Sequence, residues 1–126
     1  MRFLVTGGAG FIGSHIVDAL IDEGHKVVVV DDESANNKFH KNGNAENHKI
    51  SVNCYDCLLY LMKDVDVVFH LAAESRVQNC LENPILAAKT NVVGTCNVLQ
   101  AALQTGVKRV VYSSTSSAYG LINKPP

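Results

Sequence analysis

Apolar positions along the 126-residue chain follow two rhythms, and their alternation predicts the architecture. Phe3-Leu4-Val5 is a short unbroken apolar run that stops at glycines, and beyond them Phe11, Ile12, His15, Ile16, Ala19 and Leu20 recur at helical spacing. This reads as strand, tight turn, helix. Gly24 stops the helix, and Lys26-Val27-Val28-Val29-Val30-Asp31 forms a second strand. From Glu33 to Lys49 the chain is polar and asparagine-rich, with Phe39 as its one large apolar residue. That composition predicts a loop, the least ordered part of the chain. Lys49 to Asn53 reads as a third short strand and Asp56 to Lys63 as a short helix. Asp66 to Leu71 is a fourth strand, buried on both faces and closed by the small residues Ala72 and Ala73. A polar connection from Glu74 to Glu82 leads to Asn83-Pro84, where proline suits the first turn of a helix. That helix is expected to run to about Thr105 with an apolar face of Ile85, Leu86, Ala88, Val92, Val93, Cys96, Leu99, Ala102 and Leu103. Asn91 and Thr95 interrupt the face, and Gly106 ends the helix. Lys108 to Ser113 is strand five.

Five strands alternating with helices give an α/β fold, a doubly wound parallel sheet ordered 3-2-1-4-5. At this length the chain holds one domain, residues 1–120, followed by a tail at 121–126. A net charge of −1 argues against nucleic acid or an anionic membrane surface as partner. No apolar run is long enough to span a membrane. Strand one begins directly after Met1 with no room for a signal peptide, so the expected location is cytoplasmic. Of the four cysteines, Cys54 and Cys57 form a Cys-x-x-Cys, but neither a second such pair nor a histidine pair completes a metal site. The expected role is small apolar packing in a reducing compartment, with no metal.

Candidate chemistry gathers where strands end. Gly7, Gly10 and Gly13 are spaced Gly-x-x-Gly-x-x-Gly, with Gly8 inside the turn. Gly10 without a Cβ lets a pyrophosphate approach the backbone, and Gly13 lets helix and strand pack closely. The amides and positive dipole end of the new helix then face the phosphates. The valine run closes on Asp31 about eighteen residues after Gly13, as the dinucleotide fingerprint requires. An acid there accepts hydrogen bonds from ribose hydroxyls and repels a 2′-phosphate, which predicts NAD rather than NADP. Ser34, Asn36 and Asn37 start beside that ribose site and could touch the adenosine. His70 reads as a satisfied core histidine. Ser113-Ser114-Thr115-Ser116-Ser117 places five hydroxyls in a row at the end of strand five, a composition expected of a site.

Four segments together resemble the extended short-chain dehydrogenase/reductases, specifically the NAD-dependent nucleotide-sugar epimerase/dehydratase family. They are Thr6-Gly7-Gly8-Ala9-Gly10-Phe11-Ile12-Gly13, Asp66 to Ala73, Asn91 to Leu99, and Val107 to Thr115 with Tyr119-Gly120. The resemblance implies a Rossmann fold and a nucleotide-sugar substrate. It implies a pyrophosphate cradle of Gly7, Gly10, Phe11, Ile12 and Gly13, and ribose contacts from Asp31 and Asp32. Asn53 stands where the family carries an aspartate that bonds the adenine amino group, and Cys54 comes next against the adenine ring. Leu71, Ala72 and Ala73 line the nicotinamide side, Asn91 supports the site from its helix, and Ser113 and Ser114 lie near the nicotinamide. Thr115 falls on the catalytic Ser/Thr, and Glu74, Ser75 and Arg76 where substrate often touches. The family's Tyr-x-x-x-Lys, whose tyrosine takes the hydroxyl proton and whose lysine lowers its pKa, does not occur in this sequence. Four residues after Tyr119 stands Asn123, with Lys124 one place too far. The expectation is an amino-terminal, NAD-binding part of a nucleotide-sugar epimerase or dehydratase. The alternative is a stand-alone non-catalytic NAD-binding module, or one completed by a partner chain. An uncovered fifth strand and long helix predict self-association.

Overall fold

The computed structural model of the chain describes residues 1–35 and 40–120. Asn36 and Asn37, expected near the adenosine, and the tail at 121–126 lie outside the described residues. Five parallel strands form one sheet in the order β3-β2-β1-β4-β5, as the alternation of strand and helix predicts. They are β1 (Arg2–Thr6), β2 (Lys26–Asp31), β3 (Glu46–Lys49), β4 (Val67–His70) and β5 (Arg109–Tyr112). The helices are α1 (Phe11–Asp22), α2 (Tyr55–Leu61), α3 (Val77–Glu82), α4 (Pro84–Ala88) and α5 (Thr95–Thr105), with a π-helical segment at Lys89–Gly94 and a 3₁₀ turn at Ser116–Tyr119.

Side chains alternate across the sheet and divide the core in two. Leu4, Val28, Val30 and Val68 point to one face, where Leu58, Leu61 and Met62 around α2 and Val98, Ala101 and Ala102 of α5 cover them. Val5, Val27 and Val29 point to the other and meet Val17 of α1, with Ile16, Leu20 and Phe69 packed around. At the amino ends of the strands, the Asp66 carboxylate accepts from the Arg2 amide at 2.9 Å and from Lys108 Nζ at 2.7 Å. The Lys108 ammonium first, then the Arg2 amide, hold the Asp66 carboxyl below its usual range.

Four expectations are corrected. β3 lies at Glu46–Lys49, inside the predicted loop, rather than at Lys49–Asn53. Its side chains are polar and mostly exposed because an edge strand is held by backbone bonds to β2 and buries little. The apolar residues that suggested a strand, Ile50 and Val52, instead pack against the α2–α5 core. The polar connection after Ala73 contains α3, where Val77, Cys80 and Leu81 do fall at helical spacing, but the helix spans only six residues, buries none of them fully and so gives too short a signal to stand out from its polar surroundings. The long helical run from Pro84 to Thr105 exists, but the π segment advances the chain by an extra residue and rotates α5 relative to α4. Its buried residues are Ala87, Gly94, Val98, Ala101 and Ala102, while Ile85, Leu86, Val92, Val93, Leu99 and Leu103 are exposed. Finally, Cys54 and Cys57 are joined by a disulfide and are not free packing thiols. Cys54 caps α2 and Cys57 stands in its first turn, which brings their Cα atoms to 5.3 Å, within disulfide reach.

Candidate functional site

The parallel strands all end on one edge of the sheet, and the candidate residues come directly after their last residues. β1 ends at Thr6 and the chain turns through Gly7, which takes φ +69 and donates its amide to the Val30 carbonyl at 2.8 Å. A Cβ on Gly7 would lie 2.8 Å from the Ala72 nitrogen, so the turn sits hard against the exit of β4. Gly13 is tighter still, because its Cβ would stand 2.1 Å from the Gly7 carbonyl oxygen. Helix and strand therefore meet at van der Waals contact only because both positions lack side chains.

Gly10 caps α1, and the Ser14 amide, bonded to the Gly10 carbonyl at 2.9 Å, is the first to close a helical turn. The amides of Phe11, Ile12 and Gly13 precede it and have no carbonyl one turn back to accept them. No acidic side chain stands in that first turn, so the helix itself supplies no carboxylate to its positive end. The Phe11 and Ile12 side chains are 80% and 58% exposed, open to whatever occupies the helix end.

Asp31 ends β2 beside this turn. Its Oδ2 accepts the Ala9 amide at 3.0 Å and its Oδ1 the Glu33 amide at 2.8 Å. The two bonds aim the carboxylate and tie the second strand to the glycine turn, and each oxygen retains a lone pair for a further donor. Asp32 is exposed and accepts the Ser34 amide at 3.0 Å. Asn53 is exposed, with its side-chain amide donating to Ser51 Oγ at 3.3 Å, and Cys54 beside it is held in the disulfide.

A polar chain runs through the sheet below the edge. Thr6 and His70 face each other across β1 and β4 and are buried at 0% and 2% exposure. Thr6 Oγ1 accepts the Leu71 and Ala72 amides at 3.2 Å and meets His70 Nδ1 at 2.7 Å. His70 Nε2 meets Thr95 Oγ1 at 2.9 Å, and Thr95 donates to the Asn91 carbonyl at 2.7 Å. The Asn91 side chain in turn accepts the Glu74 amide at 2.8 Å and donates to the Glu74 carbonyl at 2.9 Å. His70 is a satisfied core histidine, as its place in an apolar strand suggests, and burial lowers its pKa. Thr95 shows in the sequence as a polar interruption of an apolar helix face, but its pairing with His70, and the register of β1 on β4 that brings in Thr6, cannot be read from spacing.

At β5, the Ser113 amide donates to the His70 carbonyl at 3.1 Å, which carries Ser113 alongside Leu71. Thr115 is exposed at the start of the 3₁₀ turn, where its hydroxyl accepts the Ser117 amide at 3.2 Å. The structure thus brings Gly7, Gly13, Asp31, Leu71, Ala72, Asn91 and Ser113 into one bonded or closely packed edge. Among the described residues, Thr115, Asp32, Asn53 and Cys54 are joined only to their own local turns. No group of histidine, cysteine and acidic side chains among the described residues could hold a metal.

The NAD dependent epimerase/dehydratase family matches residues 3–125. The UDP-N-acetyl-alpha-D-glucosaminuronate decarboxylase of Bacillus cytotoxicus is 44% identical over 122 residues, 94% of this chain and 38% of that protein. Among solved structures, UDP-glucose 4-epimerase from Thermotoga maritima with UDP-glucose superposes with a TM-score of 0.93 at 40% identity, covering 99% of this chain and 41% of that one. UDP-glucose 4-epimerase from Thermus thermophilus in complex with NAD gives 0.84 at 34% identity, covering 91% and 38%. The chain spans about two fifths of the length of these relatives. Matched over nearly all of its own residues, it belongs to the NAD-dependent epimerase/dehydratase family.

Proposed function

We propose that this chain is the NAD-binding part of a nucleotide-sugar epimerase or dehydratase, binding the dinucleotide along the carboxyl edge of its sheet. The observation that carries the reading is the amino end of α1, whose first turn holds no acidic side chain, beside the glycine turn, with the Asp31 carboxylate tied to that turn through the Ala9 amide. These residues fit a dinucleotide. Gly7, Gly10, Phe11, Ile12 and Gly13 hold the pyrophosphate on the first-turn amides, and Asp31 and Asp32 take the adenosine ribose. Asn53 and Cys54 meet the adenine, Leu71, Ala72, Ala73, Asn91 and Ser113 flank the nicotinamide, and Thr115 bonds the sugar hydroxyl that is oxidised. NAD, when bound, supplies a hydride acceptor.

None of the tyrosines in the sequence has a lysine four residues later, so the 126 residues alone carry no proton-removing Tyr-x-x-x-Lys. The proposed role is therefore cofactor binding, within a domain at 1–120, in the cytoplasm. No helix among the described residues is long and apolar enough to cross a membrane. The test is a calorimetric titration of the chain with NAD and with NADP. Saturable NAD binding, with NADP at least tenfold weaker because Asp31 repels the 2′-phosphate, is the expected result (tenfold is about 1.4 kcal/mol). Equal affinity for the two, or none for either, overturns the reading.

A further inference from the structure

A buried histidine at the end of an apolar strand is a costly choice unless its polar atoms do something an apolar residue cannot. His70 and its neighbour in register, Thr6, are both fully buried polar residues among valines and leucines, and together they reach three segments of the site. The direction of each bond is fixed by the chain of donors. Thr95 spends its hydroxyl proton on the Asn91 carbonyl, so its oxygen accepts, and His70 Nε2 carries the hydrogen. His70 Nδ1 is then an acceptor and takes the Thr6 hydroxyl proton, and Thr6 Oγ1 is left to accept the Leu71 and Ala72 amides.

The segment from Leu71 to Glu74 is consequently clamped at both ends. Thr6 grips its start through the amides of residues 71 and 72, and Asn91 grips its end through the amide and carbonyl of Glu74. His70 is the side chain that joins the two clamps. The first clamp leads directly into Gly7, whose Cα lies against Ala72, and the second sits in the π segment.

We propose that His70 is a positioning residue of the cofactor site: its ring couples the two clamps, so that the Leu71–Glu74 wall is held in register with the glycine cradle. This rests on the reading that the chain binds NAD along this edge. The pyrophosphate half of the ligand contacts the cradle, and the nicotinamide half contacts the wall. A ligand that spans both benefits from the register, and one that reaches only the cradle does not.

The experiment compares NAD with ADP, which carries the adenosine and pyrophosphate but lacks the nicotinamide riboside. Calorimetric titrations are run on the 126-residue chain and on H70F, H70Q and T95V. H70F keeps a ring but breaks both links, T95V breaks only the link to Asn91, and H70Q keeps a donor where Nε2 stands. The expected result is an NAD affinity lowered about tenfold in H70F and T95V, with ADP affinity unchanged within about twofold, and H70Q intermediate. Amide exchange without ligand gives an independent readout. In H70F and T95V the Glu74 amide should exchange faster relative to amides of β2. If H70F does not fold, T95V and H70Q decide. Equal loss of NAD and ADP affinity, or unchanged NAD affinity in folded variants, overturns the proposal. A wild-type chain that binds ADP but gains nothing from the nicotinamide half overturns it too, while leaving the cradle standing. Binding of neither ligand by the wild type overturns the NAD reading, and this proposal with it.

Discussion

At the scale of the residue, two positions make opposite demands on their surroundings. Gly13 tolerates no side chain, since the atoms its Cβ would meet, the Gly7 oxygen at 2.1 Å and Gly8 Cα at 2.7 Å, belong to backbone that cannot swing aside. G13A should cost about 3 kcal/mol of stability, at the upper end of overpacking costs, and should remove dinucleotide binding. G43A is the control, because nothing lies within 4 Å of the corresponding Cβ and its φ is not left-handed. Comparable thermal midpoints for the two variants would contradict the argument. His70 makes the reverse demand, for a partner at each nitrogen in the neutral form. Burial lowers its pKa, so the unfolded chain binds a proton more readily than the folded one. Its contribution to stability is therefore present above the unfolded value near 6.5 and is lost as pH falls below it, with a slope of at most about 1.4 kcal/mol per pH unit. Thermal midpoints between pH 7.5 and 5.5 should fall more steeply for wild type than for H70Q. Parallel curves would show that His70 does not titrate with unfolding.

At the scale of the element, the sequence makes legible whatever a local rule enforces. The glycine turn, the valine strand closing on Asp31 and the small residues after β4 all arise from needs confined to a few neighbours, and the structure places them on one edge. β3 is not legible because its stability is borrowed from the backbone of β2 rather than from apolar side chains. The helical run after Pro84 is legible in extent but not in facing. A period of 3.6 residues projects Ile85 and Leu99 inward, whereas the π segment turns the second half so that Val98, Ala101 and Ala102 meet the sheet. The same segment carries Asn91, whose carbonyl accepts from the Thr95 hydroxyl while the Thr95 oxygen meets His70. Of the site, the strand-end residues can be named from sequence, but the Thr6–His70–Thr95–Asn91 chain cannot. Its members are separated by up to 89 positions, and only register brings them together.

At the scale of the whole molecule, the two faces of the sheet are covered unequally. α2 and α5 close one face, and on the other α1 covers β1 and β2 while Val111 of β5 is exposed. The outward sides of α4, the π segment and α5 add Ile85, Val92, Val93, Leu99 and Leu103 to the exposed apolar surface, and β5 ends the sheet with one strand edge unpaired among the described residues. We propose that the isolated chain self-associates through these surfaces, as such patches and edges do. Sedimentation at tens of micromolar should show dimers or larger species, reduced in V111K, which places a charge on the exposed edge strand. A monomer at that concentration contradicts the proposal. The central place of β1 has a different consequence. Its turn is completed by the Val30 carbonyl on one side and by Leu71 and Ala72 on the other, so no fragment that stops before residue 72 contains the finished cradle. The dozen residues from Phe3 to Ser14, although they carry the most recognisable stretch of the sequence, are not a transplantable peptide: grafted elsewhere without β2 and the exit of β4, they would keep the glycines and lose the shape.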